Sequence, residues 1–339
     1  MSITIKDIAK KLRITPTAVS KALNNREDIS EELKIKVRKT AEKMGYSSNM
    51  IAKRLVTKKS NTIGVFLFSR SKYDIEENFG SQFINGIIEE ANKNDYDITL
   101  FSTESDFLNK KSYISLCKER KVEGAVFTGL RINDPHIEEI KNSPFPISII
   151  DTRLDGKNVS FISSDSESGI NEAMRYLWEL GHRRIAIITG HKYAQVSERR
   201  FNAYQQYLVE KNIYDKDLVF EGDFTKDSGY KYALEIIRLR NIPTAVFIIS
   251  DLMALGAIRA FKKEGLSLPN DMSIIGFDNI SIAEHIEPAL TTIEQNGVAM
   301  GRVAIKAILD RLKGGKLKKK VFIDTKLIIR NSCARVSEI

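Results

Sequence analysis

The chain has 339 residues, 42% of them hydrophobic, and a formal net charge of +9. That length allows two or three domains with well-buried cores. No apolar run approaches the ~18 residues needed to cross a membrane, and the opening MSITIKD has no apolar signal core, so a cytoplasmic protein with no membrane association is expected. The charge is segregated: residues 1–60 hold 15 Lys/Arg against 6 Asp/Glu, whereas the remainder holds 38 of each. A solvated basic face explains that less well than an anionic partner for the N-terminal segment, with nucleic acid the leading candidate. The two cysteines, Cys117 and Cys333, lie far apart in neither C-x-x-C nor zinc spacing and read as ordinary reduced thiols.

The first patterned stretch, Thr4 to Asn24, reads as two short helices joined by a turn at Arg13 and Ile14. Thr4 can cap the first, with Asp7 reaching back to the free backbone N–H, and Ile5, Ile8, Ala9 and Leu12 form one buried stripe. Thr15 is a good N-cap, and Pro16 sits at the first helical position, where its missing N–H is harmless. Val19, Ala22 and Leu23 face inward, leaving Thr17, Ser20 and Lys21 outside. A short helix with a small polar, cationic outer face suits the DNA major groove; the alternative is an ordinary helical hairpin. Ser30 caps a third helix running to about Met44, which Gly45 ends. A headpiece over 1–46 is followed by a hinge over 47–61 containing a short helical pattern, Asn49 to Val56.

From Ile63 strands and helices alternate. Apolar runs at 63–68, 97–102, 124–129 and 147–151 are followed by a second set at 184–190, 218–222, 245–250 and 273–278, with helical patterns between them. Such repetition predicts parallel sheets covered on both faces, and two sets of about four strands predict two similar lobes. After these come a short extended segment at Thr291–Gln295, a helix at 297–313 and one strand at 321–330, read as joining the lobes. The expected core spans 62–339, with an N-lobe of about 62–163 and 293–320 and a C-lobe of about 164–292 and 321–339. A ligand is expected in the cleft between them.

The motifs TIKDIAKKL and TAVSKALN in the headpiece, SSNMIAKRL and KKSNTIGV in the hinge, and LGHRRIAIITG, FEGDFTKDSG, PTAVFIISDLMALGAIRA, IIGFDN and PALTTIEQ in the core occur in this order. Together they closely resemble the lactose-repressor (LacI/GalR) family of bacterial transcription regulators over essentially the whole chain. The resemblance implies an all-α helix-turn-helix headpiece, a hinge helix and an α/β two-lobed core like periplasmic sugar-binding proteins, its sheets parallel. It implies that Pro16, Thr17 and Lys21 read bases, Lys21 donating to guanine and Thr17 offering a hydroxyl and a methyl. Ser20, Lys6 and Arg26 are expected on phosphates, with Thr4, Thr15 and Asn24 completing the DNA-facing set. In the hinge, Leu55 matches the family's residue that wedges into a base step, with Ala52 beside it, Lys53 and Arg54 available to phosphates and Asn49 also in the DNA-facing set. The alternative for Leu55 is packing on the core. An eight-residue helix is marginal alone, so the hinge is expected to be helical only on DNA. Pro16 departs from the usual polar or aromatic residue, and Ser48 stands where proline is frequent.

Strand ends in a doubly wound sheet carry ligand groups, and here they offer Ser69, Thr128, Asp151, Phe224, Ser250 and Asp278, with Arg200 in the helix after the strand at 184–190. The resemblance implies that Arg200 and Asp278 hold effector hydroxyls, that Phe224 stacks on the ligand and that Phe79 lines the cleft. Ser250 replaces a frequent asparagine and Ala203 the usual glycine. For Asp278 the alternative is a strand-end cap, and for Phe224 core packing. The four histidines have no metal spacing, and no G-x-S-x-G, P-loop or G-x-G-x-x-G motif is present, so no catalysis, cofactor or metal is expected. The reading is a homodimeric regulator of a pseudo-palindromic operator, controlled by a small molecule, a sugar or sugar derivative. The alternative is a phosphoprotein corepressor in place of the sugar; a solute receptor and a flavodoxin-like enzyme are the weaker rivals.

Overall fold

In the computed structural model, residues 3–46, 59–67, 79–101 and 111–336 are described. The chain divides into two compact units, Met1–Ser60 and Asn61–Ile339. The expectations for Asn49, Ala52, Lys53, Arg54, Leu55 and Ser69 fall outside the described residues.

In the first unit, α1 (Ile5–Leu12), α2 (Pro16–Leu23) and α3 (Glu31–Lys43) surround a small core of Ile8, Ala9, Val19, Ala22, Val37 and Ala41. The caps follow the sequence pattern. Thr4 donates through its backbone N and Oγ1 to Asp7 Oδ2, at 2.9 and 2.7 Å, which holds the Asp7 carboxyl below its ordinary pKa. Thr15 Oγ1 accepts from Ala18 N at 3.1 Å, and Ser30 Oγ from Leu33 N. Arg13 adopts φ 55° in the turn.

The second unit has two sheets of six strands each. The first contains β1 (Thr62–Leu67), β2 (Asp97–Phe101), β3 (Gly124–Thr128), β4 (Ile147–Ile150), β5 (Val159–Ser164) and β11 (Lys320–Ile323), in the order β11-β5-β4-β3-β1-β2. The second contains β6 (Ile185–Thr189), β7 (Val219–Glu221), β8 (Ala245–Ile248), β9 (Ser273–Asp278), β10 (Thr291–Gln295) and β12 (Thr325–Ile328), in the order β12-β10-β9-β8-β6-β7. All pairings are parallel except β10 with β12. Central strands are buried along their whole length, which is why they read as continuous apolar runs rather than alternating ones. The flanking helices are α4 (Gly80–Lys93), α5 (Tyr113–Glu119), α6 (Ile137–Lys141), α7 (Ser166–Glu179), α8 (Gln195–Glu210), α9 (Lys226–Ile237), α10 (Asp251–Lys263) and α11 (Gly297–Leu312).

Three features differ from the sequence reading. Strand β5 was not foreseen, because VSFISS is half serine and lacks an apolar run; its hydroxyls are buried and Ser160 and Ser163 donate from it to other groups. The stretch 321–330 is not one strand: β11 pairs with β5 and β12 with β10, parted by Asp324. The lobe limits shift accordingly, since β10 belongs entirely to the second sheet and β11 to the first. The chain thus passes between lobes at β5–α7, β10–α11 and β11–β12.

Two helix pairs pack unusually closely. A Cβ on Gly86 or Gly301 would lie 2.0 Å from Val298 O or 2.3 Å from Phe83 O, joining α4 to α11. A Cβ on Gly229 or Gly256 would lie 1.9 Å from Met253 O or Lys226 O, joining α9 to α10.

Candidate functional site

On the headpiece, Thr4, Lys6, Thr15, Pro16, Thr17, Lys21, Asn24 and Arg26 are exposed, and Ser20 is half-buried. Thr17 and Lys21 share the outer face of α2, whose inner face is Val19 and Ala22. Lys21 pairs with Asp28, so a contact to a base requires exchange of a solvated ion pair, a small penalty. Asn24 Nδ2 donates to Ser20 O at 2.8 Å and closes α2. Thr4 and Thr15 are both occupied as caps, with Asp7 and Ala18 as their partners.

In the core unit, β9 ends at Asp278 with φ 121°, followed by Asn279 at φ 52°. This left-handed pair turns the Asp278 side chain into a buried polar site. Gln295 Nε2, at the end of neighbouring β10, donates to Asp278 Oδ1 at 2.6 Å, and the Ser250 hydroxyl donates to the same carboxyl. Arg200 Nη1 lies 3.8 Å from Asp278 Oδ1 and donates to Ile249 O at 2.7 Å, while its guanidinium covers the Phe277 ring at 3.6 Å. Burial raises the Asp278 carboxyl to about 7; Arg200, Gln295 and Ser250 pull it down and Asp151 pushes it up. Burial lowers the Arg200 guanidinium, opposed by Asp278 and Asp151.

Asp251 supports this turn from below. Fully buried, it accepts from Thr292 Oγ1 at 2.6 Å and Ile280 N at 3.0 Å. Burial, then the neighbouring Asp278, raises its pKa well above the ordinary value. A Cβ at Gly276 would lie 2.1 Å from its Oδ1, so the strand passes the carboxylate only as glycine.

Asp151, at φ 69° beyond β4, accepts from Ser163 Oγ at 2.5 Å and lies 3.6 Å from Arg199 Nη2 across the lobes. Arg199 Nη2 also donates to Ser163 Oγ at 2.5 Å. Two further ties cross between the lobes: Arg153 N to Gln195 Oε1 at 2.6 Å and Ile132 N to Tyr193 O at 3.0 Å. Phe224, half-buried at φ 69°, meets His191 edge-on at 5.6 Å and overlies Gly190, where a Cβ would lie 2.2 Å from the ring.

Asp278, Arg200 and Ser250 therefore come together, with Asp151 close enough to act on both charged groups. Phe224 lies on the same lobe beside Gly190 and Ser197. Two further residues expected at the cleft are held by other contacts. Thr128 is buried and its hydroxyl bonds back to Phe66 O. Phe79 is buried, edge-on to Phe83 at 4.8 Å and against Gly297 at the α4–α11 junction. Sequence reading missed Gln295, Arg199 and Ser197. PALTTIEQ carried the first without marking it as polar ligand of Asp278. Arg199 lies one step round α8 from Arg200, on a face that parallels no family motif. Among the described residues there is no group of three His, Cys, Asp or Glu side chains suited to a metal, and no helix long and apolar enough to cross a membrane.

Comparison with known proteins fits both units. A profile of bacterial regulatory proteins of the lacI family matches residues 4–49, and one of the periplasmic binding protein-like domain matches residues 174–333. The HTH-type transcriptional repressor CytR of Escherichia coli K12 is 33% identical over 332 residues, covering 97% of this chain and 96% of that one. The repressor PurR of Aliivibrio salmonicida is 30% identical over 321 residues, covering 94% and 95%. Among solved structures, the transcriptional regulator CelR in complex with cellobiose is 26% identical with a TM-score of 0.75, covering 97% of this chain and 99% of CelR. The lac repressor dimer bound to operator, at 23% identity and TM-score 0.83 over 98% and 100% of the two chains, shares the fold. The relatives are repressors and not enzymes, and this chain is a DNA-binding transcription regulator of the LacI family.

Proposed function

We propose that this regulator binds a pseudo-palindromic operator as a homodimer in the cytoplasm, and that a small polyhydroxylated effector, a sugar or sugar derivative, sets its affinity. The headpiece 1–46 presents Thr17, Lys21 and Pro16 to bases and Lys6, Ser20 and Arg26 to phosphates, with Thr4, Thr15 and Asn24 fixing the helix ends; in the hinge, Leu55 wedges into a base step with Ala52 beside it, Lys53 meets phosphate and Asn49 completes the DNA-facing set. The effector lies among Arg200, Asp278, Gln295, Ser250, Asp151 and Phe224.

One observation carries the effector reading. Three buried polar atoms without a hydrogen-bond partner, Arg200 Nε, Gln295 Oε1 and, beside Gly190 and Phe224, Ser197 Oγ, belong to these residues or adjoin them. Buried polar groups are normally satisfied, and leaving one unpaired costs about 1–3 kcal/mol. Donors and an acceptor mixed around a carboxyl suit neighbouring hydroxyls, which both give and accept. An aromatic ring beside them suits a sugar face. The similarity to CelR, solved with cellobiose, supports the same class.

Calorimetric titration of mono- and disaccharides tests this, with operator recovered by selection from random duplexes. A saccharide that binds one per chain, changes operator affinity and is lost in Arg200→Ala supports the reading. Binding of no saccharide, combined with operator affinity that responds only to a second protein, would replace the sugar by a protein corepressor.

A further inference from the structure

Residues of both lobes line a groove of about 520 Å³ whose walls include neither Arg200 nor Asp278. Its α8 wall includes Gln195, Arg199, Asn202 and Gln206, and its first-lobe wall includes Phe161 and Phe322. A smaller cavity of about 320 Å³ adjoins it, and Arg153, Phe161 and Lys320 border both. We propose that this groove is a second ligand site, separate from the effector cleft, which takes a small molecule with a flat apolar body and one anionic group.

The flat body follows from the rings. Phe322 is 54% exposed, meets Phe161 edge-on at 5.8 Å, and Phe161 is in turn faced by the Arg199 guanidinium at 5.4 Å. Outward positions on β11 are Lys320 and Phe322, two residues apart, so a lysine and a phenylalanine stand side by side on the cavity wall. A half-exposed phenylalanine on an edge strand gains nothing from solvation, but it stacks on a planar ligand.

The anionic group follows from where the charges lie. Arg153, Lys320 and Phe161 border both cavities, and Arg199 faces the Phe161 ring from the larger one. Arg199 is already oriented by Ser163 and Asp151, and its Nε is buried without a partner. Of the acids nearby, Asp165 is engaged in capping α7 and Asp155 pairs with Arg153 at 3.6 Å. Glu167 and Glu198, like Arg199, border only the larger cavity and not the part shared with the smaller one. An anion at the junction of the two cavities therefore meets the Arg153 guanidinium and the Lys320 ammonium, with the Arg199 guanidinium behind the Phe161 ring. Because the walls come from both lobes and include the β5–α7 passage at Ser164 and Ser166, a bound molecule bridges the lobes and favours one arrangement of them.

The full-length protein is titrated calorimetrically with 1-naphthyl phosphate, and with 1-naphthol as the uncharged arm. Expected are one saturable site per chain, at least tenfold weaker binding of 1-naphthol, and at least tenfold weaker phosphate binding in Phe322→Ser and in Lys320→Glu. Both positions are surface-exposed, and circular dichroism checks that the variants fold; Asn202→Trp, which fills the cavity from an exposed helix position, should also abolish binding. Phe224→Leu, which alters the effector cleft, should leave this affinity unchanged. Absence of saturable binding, equal binding of the two probes, insensitivity to Phe322→Ser and Lys320→Glu, or loss in Phe224→Leu each overturns the proposal.

Discussion

Replacing Asp278 by asparagine should stabilise the fold at pH 8 while removing effector binding. Burial lifts this carboxyl from 3.8 to about 7 even with Arg200, Gln295 and Ser250 helping the charged form. A shift of roughly 3 units corresponds to at most about 4 kcal/mol against the native state once the group ionises. Asparagine keeps the acceptor for Gln295 but places an amide N–H2 near Arg200; allowing ~1–3 kcal/mol for that, the net gain at pH 8 is about 1–3 kcal/mol. The sign follows from linkage. Between pH 3.8 and about 7 the native state holds a proton that the unfolded chain has released, so the wild type loses this stability as pH rises through that window, and the loss is complete above it. The asparagine variant has no such term but carries the amide penalty at every pH, so it should be less stable than wild type by ~1–3 kcal/mol near pH 4 and more stable by about 1–3 kcal/mol near pH 8. Urea unfolding at several pH values, followed by the fluorescence of the single tryptophan, Trp178 in the second lobe, measures this. A variant that is less stable at pH 8, or whose stability follows pH as the wild type's does, refutes the argument.

His182 should act with the opposite sign. Burial depresses it to about 4, with Nδ1 on Thr244 and Nε2 on Ala334 O, so it contributes stability that is lost as pH falls from 6.5 through about 4; His182→Gln should flatten that acid limb in the same unfolding series. Gly256→Ala places a Cβ 1.9 Å from Lys226 O and should destabilise by at least ~2 kcal/mol, read as a lowered urea midpoint. Gly190→Ala should displace the Phe224 ring, 2.2 Å away, and weaken effector binding more than stability, seen by comparing calorimetry with unfolding. Lys21→Ala should weaken operator binding by about 1–3 kcal/mol and relax choice at one base. Arg26→Ala should instead weaken all sequences alike and reduce the slope of log K against log[salt] by about 1; fluorescence anisotropy distinguishes the two.

Much of the architecture is legible in the sequence because the signals are local. Caps such as Thr4, Thr15 and Ser30 and the apolar stripes of α1 and α2 involve groups within a few residues, and buried parallel strands such as AVFI advertise themselves by continuous hydrophobicity. What is not legible depends on partners far along the chain. VSFISS is a strand because its serine hydroxyls find Lys318 O and Asp151. The split of 321–330 depends on β5 and β10 lying in different sheets, which no pattern inside VFIDTKLIIR encodes. Motif resemblance named Asp278 and Arg200, which the fold places side by side. Gln295 was missed because its bond to Asp278 exists only where β10 lies beside β9, and a motif does not say how far the Phe79 ring sinks toward Phe83.

The glycine seams bear on how an effector's binding energy is used. Helices in contact through side chains can yield by rotamer changes, whereas α4 with α11 and α9 with α10 meet backbone against backbone, where there is little compliance. Each lobe therefore resembles a stiff lever arm more than a spring. Work done at Arg200 and Asp278 cannot be dissipated inside either lobe and must appear as rotation at the three short passages between them, so small displacements at the ligand are carried to the lobes' outer ends with gain instead of attenuation.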